Sequence, residues 1–285
     1  MADWLSPHQG FSILKMQQGK LHPENDLVAV EEPLEIRIAF GPAQRRIRHK
    51  LSVTMRTPGH DFDLVTGFLF CEGIIHKHSD ILKMRYLGPE EAEDALPHIL
   101  LADLRTGLLP QLEEQRRFGF SASACGACGK SSLEALYFDP PSPLPPESPC
   151  IYPDALARIP AALQNRQPLF ACTGGTHAAA LFNPAGELLG TREDIGRHNA
   201  LDKLIGAALS AQQLPLHESI CMVSGRAGYE LVQKALMAGI PCMASVGAPS
   251  SLAVELARTH GMTLIGFFRE TAWNVYSGEH RLAPL

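Results

Sequence analysis

The 285 residues are 45% hydrophobic and 19% charged, the balance of a globular chain long enough to bury a sizeable core. A net charge of −5 excludes an overall basic surface for nucleic acid or anionic lipid. No run is apolar and long enough to cross a bilayer, and Met1 to Gly10, with Asp3, Pro7 and His8, lacks the basic start and apolar core of a secretion signal, so neither a membrane nor a nucleic-acid partner is expected and a cytoplasmic location is.

In chain order, Leu34–Phe40 and Arg46–Met55 read as strands joined at Gly41-Pro42. Asp61 to Cys71 reads as a helix with Leu64, Val65, Phe68 and Leu69 on one face, and Leu82–Leu87 as a further strand. Leu96–Leu101 and Gly107–Glu114 fit either type. The run DPPSPLPPESP, 139–149, is too rich in proline for a helix or a central strand and reads as a stiff connection. It divides a β-rich α+β region, 1–138, from an α/β region, 150–285, or else forms a long loop within one fold. In the α/β region, Pro168–Cys172, Ala178–Phe182, Ser219–Val223, Pro241–Val246 and Met262–Phe267 read as strands. Asp194–Leu209, Tyr229–Ala238 and Ser250–His260 read as helices, the last two closed by Gly239 and Gly261. Repeated strand–turn–helix units predict a layered α/β sheet.

Seven cysteines without an export signal do not make a disulfide framework. Cys172, Cys221 and Cys242 fall in apolar runs, where a free cysteine is usually a small buried hydrophobe. Cys125 and Cys128 form the one pair, in Ser121-Ala122-Ser123-Ala124-Cys125-Gly126-Ala127-Cys128-Gly129-Lys130. Two thiols at this spacing can bind metal, close a reversible disulfide, or hold a sulfane sulfur in turn. A structural zinc site wants four ligands, and no second Cys-x-x-Cys or His-x-x-x-His supplies them. Lys130 and nearby amides favour the nucleophilic thiolate.

Four further stretches sit where ligands gather. Thr173-Gly174-Gly175-Thr176-His177 and Ser224-Gly225-Arg226 follow apolar strands, where free amides welcome anions, and Arg226 can add a forked bond to phosphate. Neither is a P-loop or a dinucleotide fingerprint. Asp194, His198 and Asp202 are expected to share a helix face beside Arg197, a density of polar groups that points to a ligand site or a subunit contact, with Asp194 as a helix cap and Asp202-Lys203 as a solvated surface on the blander view. Phe267, Phe268 and Arg269, followed by Glu270, Thr271 and Ala272, close the last strand. An aromatic ring there can stack on a base and the arginine can meet phosphate.

Together these motifs resemble the FdhD family of formate dehydrogenase accessory proteins. The resemblance rests on Arg56-Thr57-Pro58-Gly59, Gly67-Phe68-Leu69-Phe70 with Glu72-Gly73, the Cys125–Lys130 stretch, Thr173–His177, Glu193–Lys203, Ser224-Gly225-Arg226 and Asn274-Val275-Tyr276-Ser277, in the same order, and runs from about Glu31 to Arg281. It implies a cytidine deaminase-like fold for the second region and a homodimer. It implies a sulfurtransferase that takes persulfide sulfur from a cysteine desulfurase and passes it to the molybdenum (or tungsten) bis-guanine-dinucleotide cofactor of formate dehydrogenase. Cys125 matches the sulfur carrier and Cys128 an accessory thiol. Phe267–Ala272 matches the stretch that binds the cofactor, for which a guanine nucleotide would be a mimic; no permanent metal is implied. Two rivals stand beside this reading. A zinc deaminase needs His-x-Glu and Pro-Cys-x-x-Cys, whereas Pro149-Cys150 and Pro241-Cys242 lack the second cysteine. A chaperone that binds the cofactor or the target enzyme would not need the cysteine pair.

Overall fold

The computed structural model describes residues 6–88, 98–110 and 140–284. It opens with a ribbon that the sequence did not suggest. Strands β1 (His8–Gln17) and β2 (Lys20–Ala29) pair antiparallel over their full length. The two-residue turn is Gln18-Gly19, with φ of 50° and 78°. Two left-handed residues give the tight turn whose twist matches paired strands.

The next four strands are β3 (Glu32–Phe40), β4 (Ile47–Arg56), β5 (Ile81–Tyr86) and β6 (Ile99–Leu104). They form one sheet in the order β4-β3-β6-β5, with β3 and β6 parallel. Alternation sets the buried face: Leu34, Ile36 and Ile38 of β3 and Leu100, Ala102 and Leu104 of β6 all enter the core. Helix α1 (Asp61–Cys71) covers that face with Leu64, Val65 and Leu69.

The second region contains α2 (Pro153–Gln164), α3 (Pro168–Thr173), β7 (His177–Phe182), β8 (Leu188–Asp194), α4 (Arg197–Ser210), β9 (Ile220–Val223), α5 (Tyr229–Met237), β10 (Cys242–Ser245), α6 (Ser251–Thr259), β11 (Thr263–Gly266) and β12 (Asn274–Ser277). Its six strands lie in the order β12-β11-β10-β9-β7-β8. β9, β10 and β11 run parallel, and β7, β8 and β12 are antiparallel to their neighbours. Every second residue faces a different core. Ala179, Leu181, Cys221, Val223, Met243 and Leu264 face α4, α5 and α6, while Ala178, Ala180, Phe182, Ile220, Met222, Cys242 and Ile265 face α2. The result is a mixed α/β architecture with helices on both faces of the larger sheet.

One hydrophobic core joins the two sheets, running from Leu34 and Leu69 through Leu201 and Ile205 to Leu264. The joint is α1 against α4. A Cβ on Gly67 would stand 1.9 Å from the carbonyl oxygen of Asp202, and one on Gly206 would stand 1.9 Å from that of Asp63. Only hydrogen fits at either point, so the two backbones can touch.

Four expectations are corrected. Pro168–Cys172 is not a strand but the helix α3, Pro168–Thr173. Proline at its first position and the left-handed Gly174 at its end suit a short helix, and Glu193 accepts hydrogen bonds from the Leu169 and Phe170 amides at 3.0 and 2.7 Å. Cys172 on that helix is exposed rather than buried; Cys221 and Cys242 are buried as expected. The helix expected over Asp194–Leu209 begins at Arg197, because β8 continues through Asp194 to pair with His177. Asp194 therefore does not share a helix face with His198 and Asp202. Asp202 and Lys203 are not a solvated surface: they are 3% and 1% exposed. Of the proline-rich run, residues 140–149 form no regular element. The guanidinium of the buried Arg281 holds them by bonds to the carbonyls of Ser148, at 2.9 Å, and Pro145.

Candidate functional site

A cleft of about 340 Å³ opens where β9, β10 and β11 end, lined by His177, Arg197, Ser224, Gly225, Arg226, Val246, Gly247 and Arg269. The antiparallel β7 brings the start of its own strand, His177, beside the end of β9. Crevices beyond the carboxyl ends of parallel strands are where ligands meet this kind of sheet. The loops that follow the strands extend the pairing. The Val246 amide donates to Val223 O at 3.1 Å, Gly247 to Gly225 O at 3.0 Å, Ser250 to Ala227 O at 3.0 Å and Phe267 to Gly247 O at 3.1 Å. A Cβ on Gly247 would lie 2.9 Å from Arg226 Cγ, so glycine there lets the two loops close up.

The lining is cationic. Three guanidiniums, Arg197, Arg226 and Arg269, converge with no carboxylate among the described lining residues. Arg269 is fixed by bonds from Nη1 to the carbonyls of Val246 and Phe268, both 2.9 Å. Arg197 Nε is buried with no partner among the described residues. Such a donor is costly unless a ligand accepts from it. Ser224 Oγ accepts from the Ala178 amide at 2.9 Å and lies 3.4 Å from His177 Nδ1. Burial, then the Arg197 charge, holds His177 below the usual imidazole range, with Asp194 opposing. A neutral ring beside three fixed positive charges is a donor set for an anion such as a pyrophosphate.

The structure thus gathers six residues that the sequence placed in four separate motifs: His177, Arg197, Ser224, Gly225, Arg226 and Arg269. Others lie elsewhere. Thr173, Gly174 and Gly175 form the end of α3 and its exit, where Thr173 Oγ1 donates to Leu169 O at 2.7 Å and Gly175 packs against Ala29. His198 is turned toward α5. Burial, then the charges of Lys234 and Arg197, push it down to about 3, and its Nε2 lies 3.2 Å from Glu230 Oε2. Phe268 is fully buried against Trp273, so Phe267, exposed and held at φ 52°, is the ring open to a ligand. Glu270, Thr271 and Ala272 are exposed. Cys125 and Cys128 lie outside the described residues.

Much of the polar density after Glu193 is internal. Thr57 donates its amide to Asp194 at 3.2 Å and accepts from the Ile195 amide at 3.1 Å. Lys203 donates to Thr57 O at 2.9 Å and pairs with Asp194 at 2.7 Å, and Asn199 donates to Met55 O at 2.7 Å. These bonds staple the β4–α1 loop to the β8–α4 loop and so fix Arg197 at the cleft. Val246 and Gly247 were missed. The apolar run Pro241–Val246 reads as strand to its end, whereas β10 stops at Ser245 and the next two residues turn into the cleft.

Comparison with known proteins places the chain. The model of the FdhD/NarQ family matches residues 29–283. The chain belongs to that family. It is 43% identical over 275 residues to a protein of Streptomyces avermitilis named sulfur carrier protein FdhD, covering 95% of this chain and 94% of the relative. A Nocardia farcinica protein of the same name is 48% identical over 258 residues, covering 90% and 88%. The fold is also that of a crystal structure from Desulfotalea psychrophila, assigned as a formate dehydrogenase accessory protein, with a TM-score of 0.71 at 23% identity over 98% of this chain and 100% of the other.

Proposed function

We propose that the protein carries sulfur for the maturation of formate dehydrogenase. The observation that carries this is the extent of its likeness to FdhD/NarQ relatives named as sulfur carriers, across a span that includes Cys125 and Cys128. In this reading the Cys125 thiolate attacks the terminal sulfur of a persulfide on a cysteine desulfurase. A new S–S bond forms on Cys125, the old one breaks, and the desulfurase cysteine leaves as thiolate. Onward delivery as sulfide needs two electrons. Cys128 supplies them by attacking Cys125, closing a disulfide and expelling the terminal sulfur as hydrosulfide.

The substrate that receives the sulfur is the molybdenum bis-guanine-dinucleotide cofactor, later inserted into formate dehydrogenase. The cleft supports this: its arginines suit a pyrophosphate, and the exposed Phe267 ring suits a guanine base. The six-stranded sheet with helices on both faces agrees with a cytidine deaminase-like layer order. The protein works in the cytoplasm, as a homodimer.

The test is the Cys125→Ala variant. It should bind guanosine diphosphate as the wild type does, gain no labile sulfur by intact-mass analysis after incubation with a desulfurase and cysteine, and leave formate dehydrogenase inactive. A fully active formate dehydrogenase in that background would leave the chaperone reading in its place.

A further inference from the structure

The cleft gathers positive charge with no acidic side chain to balance it. Arg197, Arg226 and Arg269 line it, and no Asp or Glu does among the described lining residues. Arg197 also opens α4, whose first turn carries no acidic residue, so the positive end of that helix adds to the same field. Carboxylates adjoin the lining but are engaged elsewhere. Asp194, opposite His177 across β7 and β8, is fully buried. It pairs with Lys203 at 2.7 Å and accepts from the Gly196 amide at 2.8 Å. Glu193 accepts from the Leu169 and Phe170 amides and from Thr176 Oγ1, at 3.0, 2.7 and 3.1 Å. Glu230 lies 3.2 Å from His198 Nε2. Glu270 follows Arg269 but is exposed and outside the lining. Among the described residues, no cluster of three His, Cys, Asp or Glu side chains is placed to hold a metal ion.

This donor set decides which pyrophosphates fit. Magnesium keeps several of its waters and is held in nucleotide sites by one or two carboxylates together with the phosphates. A site that accepts a magnesium–nucleotide complex therefore supplies acidic side chains, and here guanidiniums stand in their place. Arg197 Nε is buried with no partner among the described residues. A phosphate oxygen can satisfy it, whereas an oxygen already bound to magnesium is a poorer acceptor. The cation would also have to approach three fixed positive charges in the cleft, where repulsion is stronger than in bulk water.

We propose that the cleft binds a pyrophosphate only in its metal-free form, and so selects a pyrophosphate diester over the magnesium complexes of free guanosine di- and triphosphate. A diester, as in a dinucleotide, has no terminal phosphate and a single charge on each phosphorus centre, so it holds magnesium weakly. A free nucleoside triphosphate chelates the ion through its β- and γ-oxygens. The three arginines take the cation's role as counter-charge, and the cleft refuses free nucleotides that share the guanine base. The proposal rests on the reading that the cleft holds the cofactor's pyrophosphate, adds which nucleotides are refused, and is independent of sulfur transfer.

The test is calorimetric titration of the full chain with guanosine diphosphate, guanosine triphosphate and the symmetric diester diguanosine pyrophosphate. Each is run with EDTA and again with excess magnesium chloride, the ionic strength being matched with sodium chloride. All three should bind in EDTA. Magnesium should weaken the triphosphate by about tenfold or more, since only the uncomplexed fraction binds. It should weaken the diphosphate less and the diester least. Triphosphate binding that is unchanged or tightened by magnesium overturns the proposal and leaves the anion site in place. Failure of all three to bind in either buffer overturns the reading of the cleft itself, and the proposal with it.

Discussion

Gly67 of α1 and Gly206 of α4 lie back to back. Each would place a Cβ 1.9 Å from a carbonyl oxygen of the opposite helix, Asp202 for the first and Asp63 for the second. The contact binds the four-stranded sheet to the six-stranded one, because α1 covers the first and α4 covers the second. Since both clashes are with backbone, neither can be relieved by a side-chain rotation. Gly67→Ala should therefore destabilise by about 1–3 kcal/mol or more, the range for overpacking a well-packed core. The midpoint of urea unfolding, with the slope unchanged, measures this. A Gly73→Ala control, where nothing lies within 4 Å, meets no such obstacle but sits at φ 69° and should lose only the smaller strain of a left-handed alanine.

Lys234 and Asp202 form a buried ion pair at 2.7 Å, with Cys71 beside them. Asp202 opposes the burial that would otherwise neutralise the lysine and holds it above its usual range. Lys234→Met removes one partner and leaves a carboxylate in the core, which costs about 3–5 kcal/mol. The double variant Lys234→Met/Asp202→Leu should recover most of that loss, since an apolar pair of similar volume replaces the whole interaction. A double-mutant cycle by chemical denaturation reads the coupling directly; an additive result would show that the two residues do not form a pair in solution.

The sequence disclosed the strand ends better than the strands. Ser219–Val223 and Pro241–Val246 were legible because fully buried parallel strands read as short apolar runs bounded by glycine and serine. β8 was not, because Leu188–Asp194 is half-buried with mixed polarity and takes its identity from pairing with β7. α3 was missed for a related reason: six residues show no helical period, and the group that caps it, Glu193, comes from another strand. The same limit applied to the site. Ser224-Gly225-Arg226 and Phe267–Ala272 could be marked as ligand turns, but their meeting with Arg197 depends on Thr57, Asp194 and Lys203 closing across more than a hundred residues of chain. Phe267 and Phe268 were indistinguishable in sequence; only the left-handed backbone at Phe267 turns one ring out and the next one in.

Arg197 and Arg226 should dominate binding of guanosine diphosphate. Arg197 Nε is buried and unpaired among the described residues, so a phosphate oxygen there satisfies a donor at no cost in lost protein bonds. Removing either guanidinium by an alanine substitution should weaken binding by about 10- to 100-fold, as for one charged hydrogen bond of ~1.5–3 kcal/mol. Raising salt should weaken the wild type more than either variant, because fewer charges are left to screen. Calorimetric titration at two ionic strengths tests both statements; variants that bind like the wild type would move the anion site elsewhere.

His177 gives the cleft a pH dependence with a definite sign. In the free protein, burial and then the charge of Arg197 hold the imidazole neutral below the ordinary value of about 6.5. A bound pyrophosphate brings negative charge to the same cleft and favours the protonated ring, so the His177 value rises on binding. Binding must then take up a proton in the interval between the free and bound values, and affinity must increase as pH falls through that interval. The phosphate titrates nearby and opposes this trend by losing charge, so the wild type alone cannot isolate the ring. The comparison with His177→Gln can: the variant keeps the phosphate's contribution and loses the imidazole's. Proton uptake from calorimetry in buffers of different ionisation enthalpy should be larger for the wild type as pH falls through the ordinary imidazole range. Equal uptake in the two proteins would mean that His177 does not sense the ligand, and would remove it from the anion site.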